Sequence, residues 1–192
     1  MDATSQPSKL PAWLKAVLFG MGGVVLAALL LFGGLFWLMR SSLSRGESGL
    51  ARKGQDVSAV AYLDVSGARH TLVEEKGKVV VLDVWATWCP PCRKSLPDLA
   101  KLAAAGGKDY TVIPVSVDDD GFKAVTPFLQ SHSDLSALPG LVPDGPHGLA
   151  PLGRVSAIPT TFLLDREGKV LDAWSGVQEE RLESGLKRAL GR

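Results

Sequence analysis

The segment WATWCPPC at residues 85–92 constrains this chain more than any other feature, and it follows closely on the apolar run at 79–82. Cys89 and Cys92 are the only two cysteines in the 192 residues. Cys89 precedes Pro90, and a residue before a proline avoids the α region, so Cys89 suits the position just outside a helix. Pro90 itself suits the first helical turn. The pattern predicts a buried strand that delivers a Cys-x-x-Cys pair to the start of a helix, as in redox-active dithiols.

A helix N-terminus lowers the pKa of a thiol, because unpaired backbone N–H groups and the helix dipole favour the thiolate. Pro90 and Pro91 lack these donors, so the first available N–H groups are those of Cys92 and Arg93. We therefore expect moderate activation of Cys89, which favours a reductant over a strong oxidant.

Two other interpretations of the cysteine pair are weaker. A structural zinc site needs four ligands, and only the scattered His70, His132 and His147 could join the cysteines. A purely structural disulfide would close a very short loop and constrain the unfolded chain little. No metal site is predicted.

Residues 79–92 resemble the active-site strand and turn of thioredoxin-fold proteins. The sequence of residues 85–92 is most similar to that of the membrane-anchored TlpA/ResA type, which includes reductases of cytochrome c maturation. The resemblance spans roughly residues 57–192 and implies an α/β thioredoxin-like fold, with a central mixed sheet flanked by helices. It also implies that Cys89 is the attacking, more exposed thiol and Cys92 the buried, resolving one. The redox-active Cys89–Cys92 disulfide would then do the chemistry without a cofactor.

The same resemblance implies a substrate-binding surface around the cysteines, formed by Trp88, Pro90, Pro91, Ile158 and Pro159. The Ile158–Pro159 bond would be cis, which exposes the backbone of Ile158 beside Cys89. A substrate segment could pair with that backbone as an added strand. The alternative is a trans proline that starts an ordinary strand.

Asp83 interrupts the apolar strand six positions before Cys89. A buried carboxylate has a raised pKa, and the resemblance implies that Asp83 is the general base for Cys92. Periodicity leaves open an alternating strand in which Asp83 faces solvent. The chain departs from the family at two positions: Pro114 stands where thioredoxin has a lysine, and Ser95 stands where many TlpA/ResA proteins have an acidic residue. Pro114 is also awkward in a central strand.

The remaining pattern alternates strands with helices, which indicates an α/β sandwich. The predicted strands are 59–63, 69–73, 78–85, 110–117, a short one near 141–142, 160–165 and 169–175. The predicted helices are 90–105, 121–131, one around 147–154 and 178–190. The acidic run at 118–120 is interpreted as a solvated helix cap.

The uncharged run at 16–39 is long enough for a transmembrane helix and too long for the core of a signal peptide. It predicts a single-pass anchor in contact with lipid, between a tail at 1–15 and a flexible linker at 40–56. The thioredoxin-like domain is predicted at 57–192.

Membrane orientation is ambiguous from charge alone. The tail carries Lys9 and Lys15, whereas four basic residues follow the anchor: Arg40, Arg45, Arg52 and Lys53. The positive-inside rule would place the domain in the cytoplasm, although large domains can translocate despite their charge. The family resemblance implies the periplasmic side of the bacterial inner membrane, and this is the location that we favour.

These features predict a membrane-tethered reductant of disulfides in extracytoplasmic proteins, for example in cytochrome c or oxidase maturation. Its partners would be protein thiol or disulfide substrates and an upstream membrane thiol reductase. The alternatives are a disulfide oxidase or isomerase, and a copper-handling metallochaperone. Net charge is +1 with no basic stripe, so nucleic-acid binding has no support.

Overall fold

A computed structural model describes residues 49–191. Its three α-helices are α1 (Pro90–Ala105), α2 (Phe122–Gln130) and α3 (Glu179–Ala189). Its seven strands are β1 (Ala61–Leu63), β2 (Arg69–Thr71), β3 (Val79–Trp85), β4 (Tyr110–Ser116), β5 (Val142–Pro143), β6 (Thr160–Leu164) and β7 (Val170–Ser175). Short 3-10 helices cover Leu72–Glu75, Ser133–Leu135 and Ala150–Leu152.

The main sheet is mixed and has the strand order β4-β3-β6-β7. Strand β3 pairs in parallel with β4 and antiparallel with β6, and β6 pairs antiparallel with β7. A smaller antiparallel sheet has the order β2-β1-β5. The central position of β3 explains its continuous apolar run, because a strand that is covered on both faces has no solvent side.

Two hydrophobic clusters lie on the two faces of β3. Val79, Val81 and Trp85 belong to the cluster that contains both cysteines, Leu96 of α1 and Leu186 of α3. The alternate residues of β3 belong to the other cluster, which packs against the N-terminal part of the domain: Val80, Leu82 and Val84. By this alternation, Asp83 points to the cysteine side of the sheet.

Most predicted elements are confirmed within one or two residues, and α1 has the predicted bounds. The expectation that Pro114 lies in a central strand is wrong, because β4 is an edge strand of its sheet. An edge strand tolerates the missing N–H of a proline. The register pairs Pro114 with Asp83 across the two strands, so no cation at this position faces the carboxylate.

The C-terminal part of the predicted linker at 40–56 is not a free linker, because residues 51 and 54 bond to the folded domain. The N–H of Ala51 donates to Leu152 at 2.8 Å, that of Gly54 donates to Val170 at 2.7 Å, and Ala51 is buried. The folded unit therefore begins before residue 57, since these backbone groups find partners on the domain. The predicted tail at 1–15 and anchor at 16–39 lie outside the described residues. None of the helices between residues 49 and 191 is long and apolar enough to cross a bilayer.

Candidate active site

Three chain segments meet at one end of the strands of the main sheet. Strand β3 ends at Trp85, where the segment 85–92 with the two cysteines begins, and we call this the redox segment. The antiparallel neighbour of β3, β6, starts at Thr160, directly after Pro159. The parallel strand β4 ends beside Trp85, since the register pairs Trp85 with Ser116. The topology thus brings together the redox segment, the proline loop and the residues that follow β4.

Cys89 and Cys92 form a disulfide at the start of α1. Cys89 has an extended backbone and is the N-cap residue, and its Sγ accepts a hydrogen bond from the Cys92 N–H at 3.2 Å. Pro90 and Pro91 occupy the first positions of the helix, where a missing N–H costs least. Cys89 is 3% exposed and Cys92 is fully buried, so a partner must reach Cys89 at the rim of the site.

The surface around the disulfide is apolar and partly exposed. Trp88 is 65% exposed, and Pro90 and Pro91 are also exposed. Ile158 is half-buried against the cluster that contains the cysteines. The Ile158–Pro159 peptide bond is cis, and Pro159 is buried.

Asp83 is buried beneath this surface with 2% exposure. Its Oδ1 accepts a hydrogen bond from the Thr161 hydroxyl at 2.7 Å, while its Oδ2 has no hydrogen-bond partner among the described residues. Burial raises the pKa of Asp83 to about 7, and the bond from Thr161 lowers it only in part. A carboxyl group with this pKa can accept or release a proton near neutral pH.

A cavity of about 30 Å³ lies beside Asp83 and extends towards the start of α3. Pro159 and Trp174 contribute to its walls, and the exposed side chain of Glu179 also lines it. A space of this volume can hold a water molecule. Asp83 therefore lies beside a space in which a water molecule can contact its carboxyl group.

Ser95 lines the same cavity but supplies no acid. Its hydroxyl donates to the carbonyl oxygen of Cys92 at 3.0 Å, within α1. The buried carboxyl group of this cavity is therefore that of Asp83 in β3, whereas Asp98 of α1, which also lines the cavity, is only half-buried.

Asp118 is a functional candidate that the sequence analysis missed. It is only 9% exposed, whereas Asp119 and Asp120 are exposed, so the interpretation of a solvated cap is wrong for Asp118. Its carboxylate accepts hydrogen bonds from the N–H and hydroxyl of Thr87, at 2.8 and 2.6 Å, and from the hydroxyl of Ser116 at 2.5 Å. The parallel pairing of β3 with β4 was the signal that could have found it.

Two of the three histidines, His70 and His132, make side-chain contacts with nearby residues. His70 bonds the carboxylates of Asp64 and Glu74, which raise the pKa of its imidazole, and His132 packs against Phe128. Within residues 49–191, no three His, Cys, Asp or Glu side chains are arranged to hold a metal ion.

The known proteins that this chain resembles share a thiol–disulfide oxidoreductase description. The family model described as Redoxin matches residues 52–190. The chain is 33% identical over 137 residues to the thiol-disulfide oxidoreductase ResA of Bacillus thuringiensis subsp. konkukian, which covers 70% of this chain and 77% of that protein. It is 31% identical over 173 residues to the thiol:disulfide interchange protein DsbE of Pseudomonas aeruginosa, with 86% and 87% covered.

A solved structure shows the same fold. The crystal structure of an exposed lipoprotein thioredoxin from Streptococcus pneumoniae matches with a TM-score of 0.55 and 32% identity, and covers 67% of this chain and 97% of that one.

Proposed function

Because the chain belongs to the Redoxin family and is a thiol–disulfide oxidoreductase of the ResA/DsbE type, we propose that it reduces disulfides in extracytoplasmic proteins from a membrane anchor. Enzymes of this family work through a redox-active disulfide and need no cofactor. The observation that carries the proposal is the Cys89–Cys92 pair at the start of α1, on the face of the sheet to which the buried Asp83 points.

The reaction begins with the reduced dithiol. The Cys89 thiolate attacks one sulfur of a substrate disulfide, and the other substrate sulfur leaves as a thiolate. Cys92 then loses its proton and attacks the Cys89 Sγ of the mixed disulfide. The substrate leaves as a dithiol, and the protein is left with the Cys89–Cys92 disulfide. Two electrons have passed to the substrate.

Asp83 accepts the proton of Cys92 during the second step and returns it when the protein is reduced again. Its burial on the cysteine side of β3 and its raised pKa support this role. The adjacent cavity has room for a water molecule that can relay the proton, since Oδ2 makes no hydrogen bond to the described residues.

The apolar surface around the disulfide holds the substrate. Trp88 offers an exposed aromatic ring directly before Cys89, beside the exposed Pro90 and Pro91. Aromatic side chains of this kind are frequent anchors in protein interfaces. The backbone of Ile158 pairs with the substrate chain as an added strand, which directs the substrate cysteine towards Cys89.

The proposed cellular setting is supported by the predicted anchor at 16–39 and by the family resemblance. The uncharged run at 16–39 anchors the chain in the inner membrane, and the domain lies on the periplasmic side. An upstream membrane thiol reductase supplies the electrons. Tethering keeps the domain close to membrane-bound substrates, such as those of cytochrome c or oxidase maturation, and raises its effective concentration there.

Trapping of mixed disulfides tests this proposal. In a Cys92→Ser variant the second step is blocked, so covalent complexes with protein substrates should accumulate in cells and dissolve on treatment with a reductant. The double variant Cys89→Ser/Cys92→Ser is the matched control and should form none. Equal amounts of covalent complex with both variants, or no complex with either, would contradict the proposed exchange at Cys89.

A further inference from the structure

Asp118 connects the redox segment to the neighbouring strand. Thr87 lies two residues beyond the end of β3, and Asp118 lies two residues beyond the end of β4. Because the parallel register pairs Trp85 with Ser116, the two side chains meet. The N–H and the hydroxyl of Thr87 donate to the two different carboxylate oxygens of Asp118, which fixes the orientation of the Thr87 residue as well as its position.

The contact is buried on the side of Asp118 and partly buried on the side of Thr87. A carboxylate loses hydration when it is buried, and it is stable there only where hydrogen bonds replace the water. Asp118 receives three such bonds, the third from Ser116, whose hydroxyl is itself buried. Hydrogen bonds to a charged acceptor are stronger than neutral ones. The attachment of Thr87 to β4 is therefore firm.

We propose that Asp118 is a positioning residue that keeps Cys89 in the N-cap position of α1 after the disulfide is reduced. The inference rests on the proposed function, because it concerns the reactivity of the reduced dithiol. In the oxidised protein the covalent bond to Cys92 holds the Cys89 sulfur. Once that bond is broken, the sulfur depends on the backbone of the segment before it, which Asp118 holds at Thr87.

The position of the sulfur matters because few donors can stabilise its thiolate. Pro90 and Pro91 have no N–H, so the Cys92 N–H, at 3.2 Å from the Cys89 Sγ, is the first backbone donor of the helix that reaches it. A small displacement of the redox segment would remove this contact and raise the pKa of the Cys89 thiol.

The test measures the reactivity of Cys89 in the full chain with Cys92→Ser, as the pH dependence of alkylation by iodoacetamide. Thr87→Val removes one donor without a change of size, and Asp118→Ala removes all three bonds. We expect rates at neutral pH to fall about threefold and about tenfold, respectively, as the pH profile moves upward. In the dithiol protein, a tenfold change in the equilibrium constant corresponds to about 30 mV towards a more negative potential.

Conservative variants separate position from charge. Thr87→Ser retains the hydroxyl and should restore the reactivity lost in Thr87→Val. Asp118→Asn retains an acceptor oxygen and should react at least as fast as the parent. Removal of a nearby negative charge would by itself favour the thiolate, so slower alkylation of Asp118→Ala reports lost positioning. Asp165→Ala is the matched control, because Asp165 holds the β6–β7 turn through two backbone N–H groups.

The outcomes are distinct. An unchanged alkylation profile in both Thr87→Val and Asp118→Ala would overturn the inference, even where trapping of substrates succeeds. An equal loss in Asp165→Ala would also overturn it, because the effect would then be one of general stability. The assay uses a small alkylating reagent and no protein substrate, so its result does not depend on the success of the trapping experiment.

Discussion

Replacement of Asp83 by asparagine should change stability in a strongly pH-dependent way. The pKa of Asp83 rises from 3.8 to about 7 on folding because the carboxyl group is buried. Between these values the unfolded chain ionises at this residue while the folded chain does not, so the folded protein binds more protons and its stability falls as pH rises. The shift of roughly three units corresponds to about 4 kcal/mol, at 1.36 kcal/mol per unit.

Asp83→Asn removes this titration and leaves the acceptor for Thr161 in place. Relative to the wild type, the variant should gain about 4 kcal/mol in its free energy of unfolding between pH 4 and pH 8, and nothing further above that range. Denaturant unfolding of oxidised fragments spanning residues 49–192, at a series of pH values, measures the difference directly. The disulfide stays intact, so no thiol titrates.

Asp172→Asn serves as a control of opposite sign. Arg181 lowers the pKa of Asp172 through a paired hydrogen bond, so loss of this carboxylate should destabilise the fragment above the acid range. A stability difference for Asp83→Asn that stays constant from pH 4 to pH 8 would refute the burial of a carboxyl group without a cationic partner at this position.

Two further substitutions test the surface and the packing. Trp88→Ala should raise the KM for a protein disulfide by roughly tenfold, as for loss of an aromatic anchor, and leave turnover of a small disulfide unchanged; equal losses on both would argue against a docking role. Gly148→Ala should lower the free energy of unfolding by about 1–3 kcal/mol, because a Cβ would lie 2.5 Å from the carbonyl oxygen of Ala61. Gly49→Ala, whose Cβ would meet nothing within 4 Å, is its control in denaturant titrations, and equal stability of the two would contradict the close approach.

Local signals explain why the main elements could be predicted. Helix α1 begins at Pro90, which suits a first turn, and ends before Gly106. Strand β5 has two residues and exists through its pairing with β1, so no local pattern specifies its limits. The predicted helix around 147–154 is a single 3-10 turn at Ala150–Leu152, and Gly153 ends this turn with a positive φ of 78°, which is outside the right-handed helical region.

Some site residues have a local sequence signal, whereas the environment of others depends on distant parts of the chain. The spacing of Cys89 and Cys92 is a local signal that predicts a redox pair, and the structure joins the two residues in a disulfide. The environment of Asp83 was left open by periodicity, because both faces of a central strand are covered and alternation then carries no information. Asp118 was missed because its partner, Thr87, is 31 residues away and is brought to it by the parallel register.

The midpoint potential of the Cys89–Cys92 couple tests the central claim most directly. The purified protein would be equilibrated in thiol redox buffers, and the fraction of disulfide would be measured by thiol labelling. A reductant of protein disulfides should have a potential near or below about −200 mV. A value near about −120 mV, typical of a strong oxidant, would contradict the proposed direction of electron flow and indicate disulfide formation instead.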